Sequence, residues 1–549
     1  MHHSTRSSTV TALAAVAVAG MSLVPIGYLL LSGTSITDIR AQLAYSTTVS
    51  AVGQTIALTL LIGALSAVIG VGCALLVTRT SVPAPRLLTV LFSMPLAVPG
   101  FVSAYAAYSA TLTYAPSFGG LRTLPGAAVV LALSLYPYVF LPCVIALRRI
   151  DPALEEVVST LRRRRFSSFR TVSLPALRPA LAAGLLIVAL HVLAEYGAMA
   201  QLGRSTLTTK IVAEMLNYGD YRSARSLSLL LTALAVLVLI GTRWIAGGSS
   251  IAEVTRGSTR PPRRISLGAA RLPLTAIAIV VPILAIGPTV VMTTRGLLGP
   301  GRSSAPSWSS ITGPLTTTIG YAVAAALVAT LVAVPVSWWV TRAPSARSHL
   351  TERAVWVAHS IPSAILALAL VFLSTRLAPS LYKTAAVLVA AYVILYLPLA
   401  VANQRVGLQA ARRTYDDVAA SLGVRPSRTF VRVTLPLAAP GFMAGAILVA
   451  LDASKELTTT LMLLPFNTST LSSKLWATTN GESLDFSAAA PYAALLVLLG
   501  IVPVWLLVRH TLAGLAPASS RSTREQQDRA QHPTDQAPSD QDLITAQLP

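Results

Sequence analysis

The stretch DDVAASLGVRPSRTFVRVTLP, from Asp416 to Pro436, lies in a chain that is otherwise strongly apolar. A related stretch, EEVVSTLRRRRFSSFRTVSLP, runs from Glu155 to Pro175. Both combine acidic residues, arginines and a closing Leu-Pro, and both are flanked by apolar sequence. A charged segment that is built twice inside an apolar chain indicates two structurally equivalent halves in one membrane protein.

The composition also indicates a membrane protein. Of the 549 residues, 54% are hydrophobic and only 11% are charged, whereas soluble proteins carry about a quarter charged residues. Apolar runs such as Tyr492 to Val508 approach the ~20 residues that cross a bilayer as a helix. No run shows the alternating pattern of a membrane β-barrel. We therefore expect an all-α, polytopic membrane protein with about twelve transmembrane helices.

Twelve apolar spans can be placed on the sequence, with edges good to several residues. They lie near 9–32, 53–78, 86–112, 125–147, 178–200, 226–247, 273–294, 315–340, 354–377, 383–404, 438–463 and 488–512. The first span is too long for the apolar part of a signal peptide, so we interpret it as an uncleaved helix. A cytoplasmic N-terminus puts most of the 42 Lys and Arg residues in cytoplasmic segments, as the positive-inside rule requires. The expectation is a multi-pass protein of the cell membrane, with both termini and both charged stretches in the cytoplasm.

The net charge of +22 would by itself suit nucleic acid binding. Few aromatic residues accompany the basic clusters, so stacking on bases has no support and nucleic acid is not an expected partner. Cys73 and Cys143 fall inside apolar spans and are interpreted as small buried hydrophobes. No other residues have metal-ligand spacing, so neither a metal site nor a cofactor is predicted.

A shift of 261 residues aligns much more than the two charged stretches. The aligned pairs are Pro137 with Pro398, Glu156 with Asp417, Pro175 with Pro436, Pro179 with Pro440, Gly184 with Gly445 and Glu195 with Glu456. An even number of helices per unit places both copies the same way up in the membrane, as a parallel repeat. The chain is then either two fused six-helix modules or a five-helix module with an extra leading helix.

Composition divides the chain into five segments. Residues 1–50 form an N-terminal helix and outer loop, and 51–247 the first module. A linker at 248–270, rich in Gly, Ser, Pro and Arg, is expected in the cytoplasm before the second module at 271–512. The polar tail at 513–549 has few aromatic or β-branched residues, and we expect it to be disordered.

Each charged loop predicts two short helices joined by a turn. In the first copy Asp151-Pro152 supplies a helix start, with Asp at the N-cap and Pro in the first turn. In the second copy Gly423 sits where the chain must turn. Such a unit at the cytoplasmic surface forms a rigid projection that another protein could bind.

The loops resemble the "EAA" loop of ABC importer permeases, in which an acid precedes two small apolar residues, a Gly and a Leu-Pro. The matching residues of the second copy are Asp417, Val418, Ala419, Gly423, Leu435 and Pro436, and those of the first are Glu156, Val157, Val158, Arg162, Leu174 and Pro175. The resemblance implies two type I ABC permease modules whose loops couple to two ABC ATPase subunits, and an extracytoplasmic solute-binding protein.

One residue departs from that pattern. Arg162 stands where the family has Gly, which adopts positive φ freely. The first loop is therefore expected either to turn differently or to dock differently. The arginine run at 162–165 is interpreted either as a solvated positive-inside cluster or as a contact with an acidic ATPase surface.

Fused pairs of this module resemble the ferric-iron permeases. The supporting stretches include LAEYGAMAQLG at 193–203 and ASKELTTTLMLLPFNTSTLSSKLW at 453–476. The resemblance implies import of ferric iron, although thiamine, polyamine and phosphonate permeases share the architecture. A twelve-helix secondary transporter is the alternative mechanism, but few intramembrane acids are available to it. No GxxxxGK, HExxH or GxSxG motif is present, so no catalytic residue is predicted and ATP hydrolysis is expected on a separate chain.

Four ionisable residues in the apolar spans are candidates for the translocation pathway: Glu195, Asp452, Lys455 and Glu456. The two glutamates lie about twenty residues beyond a Leu-Pro, and we expect them toward the outer half of the passage. Lys455 with its acidic neighbours could form an ion-paired gate. The alternatives are a packed structural pair or snorkelling to the headgroups. His191 is expected to be a satisfied core histidine.

Overall fold

The computed structural model describes residues 2–31, 36–150, 172–246, 265–299, 308–411, 413–480 and 486–513. Within these ranges the chain is helical, apart from short 3-10 and π turns, loops and one backbone pairing between Thr80 and Ile265. The first charged loop up to residue 171, with Glu156, Val157, Val158 and Arg162, lies outside the described residues. So do most of the linker and the tail from residue 514.

The first half of the chain carries eleven described α-helices. They are α1 (His2–Leu31), α2 (Ile36–Ala44), α3 (Ser46–Arg79), α4 (Pro85–Ser93), α5 (Gly100–Tyr114), α6 (Leu124–Leu135), α7 (Pro137–Arg149), α8 (Leu174–Ala194), α9 (Gly197–Gln201), α10 (Leu207–Leu216) and α11 (Tyr221–Ala246).

The second half follows a closely matching order. Its described helices are α12 (Arg271–Leu298), α13 (Trp308–Arg342), α14 (Ala346–His359), α15 (Ser363–Leu377), α16 (Ala385–Ala410), α17 (Arg413–Ser421), α18 (Pro426–Thr429), α19 (Leu435–Lys455), α20 (Thr458–Leu463), α21 (Leu471–Thr479) and α22 (Phe486–Ala513). A π-helical turn at Phe430–Thr434 joins α18 to α19.

Nine helices of the described chain are long and apolar enough to cross a membrane, and three bent helix pairs raise the number to twelve if each pair is one span. The expected all-α polytopic fold with about twelve spans is confirmed. The predicted spans at 86–112, 125–147 and 354–377 are the bent pairs, with angles of 91°, 45° and 95° between their helices. Each of these segments is therefore bent rather than straight.

Prolines account for the sharpest bends. Pro99 lies between the 3-10 turn that follows α4 and the start of α5, and Pro362 lies between α14 and α15. Both prolines have extended backbones, with ψ values of 144° and 137°. Proline has no N–H to donate and disfavours helical geometry in the residue before it, so the preceding helix ends there. The two breaks occupy corresponding places in the two halves.

Local contacts repeat between the halves as well. α8 and α19 begin at the Leu of each Leu-Pro, which places Pro in the first turn, where a missing N–H costs nothing. The backbone N–H of Leu207 donates to Thr55 Oγ1 at 3.0 Å, and that of Leu471 donates to Thr318 Oγ1 at 2.8 Å. The sequence repeat is thus also a repeat of side-chain contacts.

The leading helix of each half packs against the other half. α1 lies against α13, α14 and α15, and it buries Ala15, Ala19 and Leu29 in a core that these helices share with α8, α10 and α11. α12 lies against α5 and α6 of the first half and against α22. The leading helices are therefore counterparts, and this exchange ties the two halves together.

Candidate functional site

The second charged loop has the helix–turn–helix form that its sequence predicts. α17 is followed by Gly423, whose φ of +71° is the left-handed conformation that favours glycine. The N–H of Gly423 donates to the carbonyl of Ala420, and the N–H of Val424 donates to that of Ala419, both at 3.0 Å. These bonds satisfy carbonyls that the helix end leaves unpaired. The turn is therefore fixed by the backbone.

The outer face of this loop is both acidic and apolar. Asp417 and Val418 are exposed, and Leu422 is 76% exposed. Ala419 is partly buried, and Leu435 and Pro436 begin α19 at the base of the loop. Large exposed apolar side chains beside an acid on a rigid turn form a surface that can bind another protein.

Asp416 points inward and holds the loop to the helices. Its carboxylate pairs with Arg342 at the end of α13, with 3.0 Å between Oδ2 and the guanidinium nitrogen. Its other oxygen accepts a hydrogen bond from Thr434 Oγ1 at 2.8 Å. Sequence reasoning singled out the adjacent Asp417 and missed this residue. The sequence shows two adjacent aspartates, and the neighbouring residues do not indicate which of them faces the helices.

Arg342 joins several elements at this end of the molecule. It donates to the carbonyl of Ala411, just after α16, at 2.8 Å, and its guanidinium lies 5.2 Å from the centroid of the Trp338 ring. Trp338 in turn meets Phe430 edge-on, with 5.3 Å between ring centroids. These contacts attach the loop to α13, α16 and the start of α19.

The first half has a matching arginine. Arg79 ends α3 as Arg342 ends α13, and it is buried. It donates to the carbonyl of Leu147 near the end of α7 at 3.1 Å. Leu174 and Pro175 begin α8 at the corresponding place. Arg79 and the Leu174-Pro175 start of α8 thus correspond in the first half to Arg342 and the start of α19 in the second.

The two intramembrane glutamates lie at helix breaks. Glu195 follows α8 and Glu456 follows α19, and both have extended backbones. Each Oε1 accepts a hydrogen bond from the backbone N–H three residues on, at 2.9 Å from Ala198 and at 3.0 Å from Thr459. Each glutamate therefore caps the short helix that follows it.

The residue that faces each glutamate from the neighbouring helix differs between the two halves. The side chain of Ser363 hydrogen-bonds Glu456. In the first half Gly100 occupies the corresponding place at the start of α5, and a Cβ there would lie 3.0 Å from Glu195 Oε2. Glu195 and Glu456 are close enough to interact electrostatically, so equivalent positions of the two halves lie near each other.

Lys455 spans the boundary between the halves. Its Nζ donates to the carbonyl of Leu96, in the 3-10 turn before Pro99, at 3.1 Å. Asp452 influences Lys455 electrostatically, but the two side chains are not among the ion pairs of the described ranges. They therefore interact over a greater distance than an ion pair. Lys455 therefore bonds a carbonyl of the opposite half rather than a carboxylate.

His191 differs from the core histidine that the sequence suggested. Its Nδ1 is 3.0 Å from the carbonyl of Ile187, one turn earlier on α8, but the side chain is exposed. Its ring lies 4.7 Å from that of Tyr138, centroid to centroid. In the described ranges no group of three or more His, Cys, Asp or Glu side chains is arranged to hold a metal ion. Cys73 and Cys143 are buried.

Comparison with known families identifies the repeat. The model of the family described as "Binding-protein-dependent transport system inner membrane component" matches the chain twice, over residues 66–247 and 333–510. The two matches fall on corresponding parts of the two halves.

Individual proteins are also similar. The Fe(3+)-transport system permease protein FbpB 2 of Haemophilus influenzae is 32% identical over 455 residues, which cover 82% of this chain and 87% of that protein. The sulfate transport system permease protein CysT of Salmonella typhimurium is 29% identical over 31% of this chain and 67% of its own length. The molybdate/tungstate transport system permease protein WtpB of Thermococcus kodakarensis is 26% identical over 18% of this chain and 40% of its own.

Proposed function

The chain belongs to the family of binding-protein-dependent inner membrane transport components, as a fused two-module ABC importer permease, and we propose that its cargo is ferric iron. The observation that carries this proposal is the similarity to an Fe(3+)-transport permease over most of both chains. The similarities to sulfate and molybdate permeases cover much shorter parts of this chain. In this proposal residues 51–247 and 271–512 are the two modules and 248–270 is their linker.

The charged loops are the proposed couplers. The second loop presents Asp417, Val418 and Leu422 to a cytoplasmic ATPase subunit, while Asp416 and Arg342 keep it attached to the helices. The first loop, with Glu156, Val157, Val158 and Arg162, meets a second ATPase subunit. Two loops thus imply two ATPase copies for each chain. ATP hydrolysis resides on those subunits, and both termini lie in the cytoplasm with them.

The passage runs between the two halves. Glu195 and Glu456 lie close together at equivalent helix breaks, and Asp452 and Lys455 lie on the last turns of α19. Ionisable groups are costly inside a membrane unless they serve a passage or each other. An extracytoplasmic solute-binding protein delivers the cargo to the outer side, so the permease needs only a path and not a tight site.

A second candidate cargo is an oxyanion, because the sulfate and molybdate permeases also match. Thiamine, polyamine and phosphonate remain further alternatives on architecture alone. Uptake in cells that lack this chain separates them. Radiolabelled ferric iron should enter only when the chain is restored, and the uptake of radiolabelled sulfate and molybdate should not change. Normal iron uptake without the chain, together with lost uptake of another solute, would reject iron and leave the ABC mechanism standing.

A further inference from the structure

Two basic residues at equivalent positions of the repeat lie at the end of the molecule opposite to the charged loops. The shift of 261 residues that aligns the halves pairs Arg122 with Lys383. Lys383 precedes α16, which ends next to the second charged loop, and Arg122 precedes α6 and α7, which end next to the first. Both residues therefore lie at the far end of a span from its charged loop, which is the extracytoplasmic end in the proposed orientation.

The backbone around both residues is built in the same way. A short 3-10 turn precedes each helix, and Thr123 and Thr384 are the N-caps of α6 and α16. The hydroxyl of Thr123 donates to the carbonyl of Gly120 at 2.5 Å, and that of Thr384 donates to the carbonyl of Leu381 at 2.7 Å. The basic residue is thus held at the same place in each half.

Each basic side chain packs against a second outer loop of its own half. These loops join α9 to α10 and α20 to α21, and each contains a residue of positive φ, Gly203 at +65° and Asn467 at +58°. A Cβ on Gly203 would lie 2.8 Å from Nη2 of Arg122. The Nζ of Lys383 lies 4.6 Å from the centroid of the Phe466 ring, next to Asn467. The same two loops therefore meet in both halves.

These two cations are fixed in position without a carboxylate partner. Arg122 is exposed and Lys383 is partly buried, and the guanidinium of Arg122 lies 5.7 Å from the centroid of the Tyr108 ring. Neither residue is a member of the ion pairs in the described ranges. Lys383 has a φ of +52°, a conformation that an L-residue adopts at a cost and that is frequent at functional sites. Such cations are suited to bind carboxylates of another molecule.

The described part of this face is basic. The segments that join helices there hold ten Lys or Arg residues and three Asp or Glu residues, and one of the acids, Asp38, is paired with Arg222. The segments counted are 36–45, 115–123, 202–225, 295–299, 376–384 and 464–480. The positive-inside rule predicts few basic residues on this side of a membrane. The excess of positive charge favours a partner with an acidic surface.

We propose that Arg122 and Lys383 are docking points, one in each half, for acidic residues of the extracytoplasmic solute-binding protein. This inference rests on the proposed function and specifies where that partner binds. The family is described as binding-protein-dependent, so a second protein has to reach this face. Phe466, which is 69% exposed beside Lys383, adds an aromatic side chain of the kind that is enriched in interfaces. A partner that contacts both points bridges the two halves.

Lipid phosphates are the other acidic groups near this face. Lys and Arg side chains that reach headgroups extend away from the protein toward the membrane surface. Arg122 and Lys383 instead lie against loops of their own half, where ring and backbone contacts hold them. The geometry therefore favours a protein partner.

The first test measures binding to the complete complex of this chain and its ATPase in nanodiscs of phosphatidylcholine. The probe is the binding protein that stimulates ATP hydrolysis by the wild-type complex, whichever solute it carries. Arg122→Glu and Lys383→Glu should each weaken its binding roughly tenfold at low salt, and high salt should reduce the difference from wild type. Arg122→Lys should retain most of the affinity. ATP hydrolysis without the binding protein should stay at the wild-type level.

Arg40→Glu is the matched control for charge. Arg40 is exposed on α2 at the same end of the molecule, and the substitution changes the net charge equally. Its affinity should stay within about twofold of wild type. Unchanged affinity in both Arg122→Glu and Lys383→Glu would overturn the proposal. An equal loss in Arg40→Glu would also overturn it, because the effect would then be general charge attraction. So would a parallel loss of thermal stability, because the two residues would then be structural.

The second test examines the placement directly. A photoactivatable benzophenone amino acid in place of Phe466 should give a product with the combined mass of this chain and the binding protein after irradiation. The same amino acid in place of Trp244, which is 84% exposed at the opposite end of α11, should give none. A lipid adduct at Phe466 without a protein adduct would overturn the proposal and indicate that this face contacts headgroups.

The docking points and the cargo can fail separately. Docking and transport with a binding protein that carries another solute would reject iron and leave the docking points intact. Normal iron uptake by the double variant Arg122→Glu, Lys383→Glu at limiting binding protein would reject the docking points and leave the iron assignment intact.

Discussion

Asp416 and Asp417 are neighbours in sequence with opposite surroundings. The carboxylate of Asp416 is held by Arg342 and Thr434, whereas Asp417 is exposed on the outer face of the loop. We expect Asp416→Asn to lower the free energy of unfolding by about 1–3 kcal/mol, because a largely buried guanidinium loses its charged partner. Asp417→Asn should leave stability unchanged. Thermal unfolding of the purified chain checks both.

Substitutions at Asp416 and Asp417 distinguish the binding of the ATPase from the attachment of the loop to the helices. Asp417→Lys should weaken co-purification of the ATPase, because it reverses a charge on the docking face. Asp416→Asn should retain the ATPase but raise the ATP hydrolysed per cargo molecule, because the loop is no longer held to α13. Equal behaviour of the two variants would contradict the roles assigned to these residues.

Gly423 has the backbone conformation that an L-residue adopts at a cost. At its φ of +71°, Gly423→Ala should cost about 1–2 kcal/mol. Gly423→Pro should disrupt the turn further, because it also removes the N–H that bonds Ala420. Transport should fall in that order while membrane insertion stays normal. Gly53→Ala is the control, since a Cβ at that helical position meets nothing within 4 Å. Wild-type transport by Gly423→Pro would mean that the turn is not part of the coupling surface.

At the scale of elements, α22 of the second half depends on a close approach to the first. A Cβ on Gly500 would lie 2.0 Å from the carbonyl oxygen of Ala97, in the turn between α4 and α5. Gly500→Ala should therefore push α22 away and cost about 1–3 kcal/mol, as overpacking does. Gly320→Ala on α13 should be neutral or slightly stabilising, because its Cβ would meet nothing. Thermal unfolding in detergent measures both, and equal melting temperatures would contradict the packing described for α22.

The helices themselves were largely predictable from the sequence, and their bends were not. Apolar runs of sufficient length marked the spans, since backbone groups in lipid must bond within their own helix. The spans at 86–112 and 354–377 were predicted without a break, although Pro99 and Pro362 lie within them. Proline is tolerated in many membrane helices, and Pro398 lies inside the unbroken α16. A proline alone therefore does not tell whether a span breaks.

At the scale of the molecule, the repeat offset predicted two parallel halves because equivalent residues recur at fixed spacing. It did not predict that α1 and α12 pack on the opposite halves, or that Lys455 bonds the carbonyl of Leu96. These contacts join residues far apart in sequence, and their formation depends on how the halves dock.

The exchange of leading helices leads to a prediction about the divided chain. Residues 1–257 and 258–549, expressed together as separate polypeptides, should assemble and co-purify, because α1 and α12 bury apolar surface against the opposite halves. Either half expressed alone should be degraded or aggregate. The cut lies between the two family matches and touches neither. Stable, monodisperse single halves would show that the exchange contributes little.

The central claim is that this chain is the membrane path of an ATP-driven importer of ferric iron. Proteoliposomes containing the purified chain and its ATPase, supplied with iron-loaded binding protein, test it most directly. Radiolabelled iron should cross the membrane only when ATP and the binding protein are both present, and a protonophore should not stop it. Iron accumulation without ATP that collapses with the proton gradient would contradict the account and identify a secondary transporter.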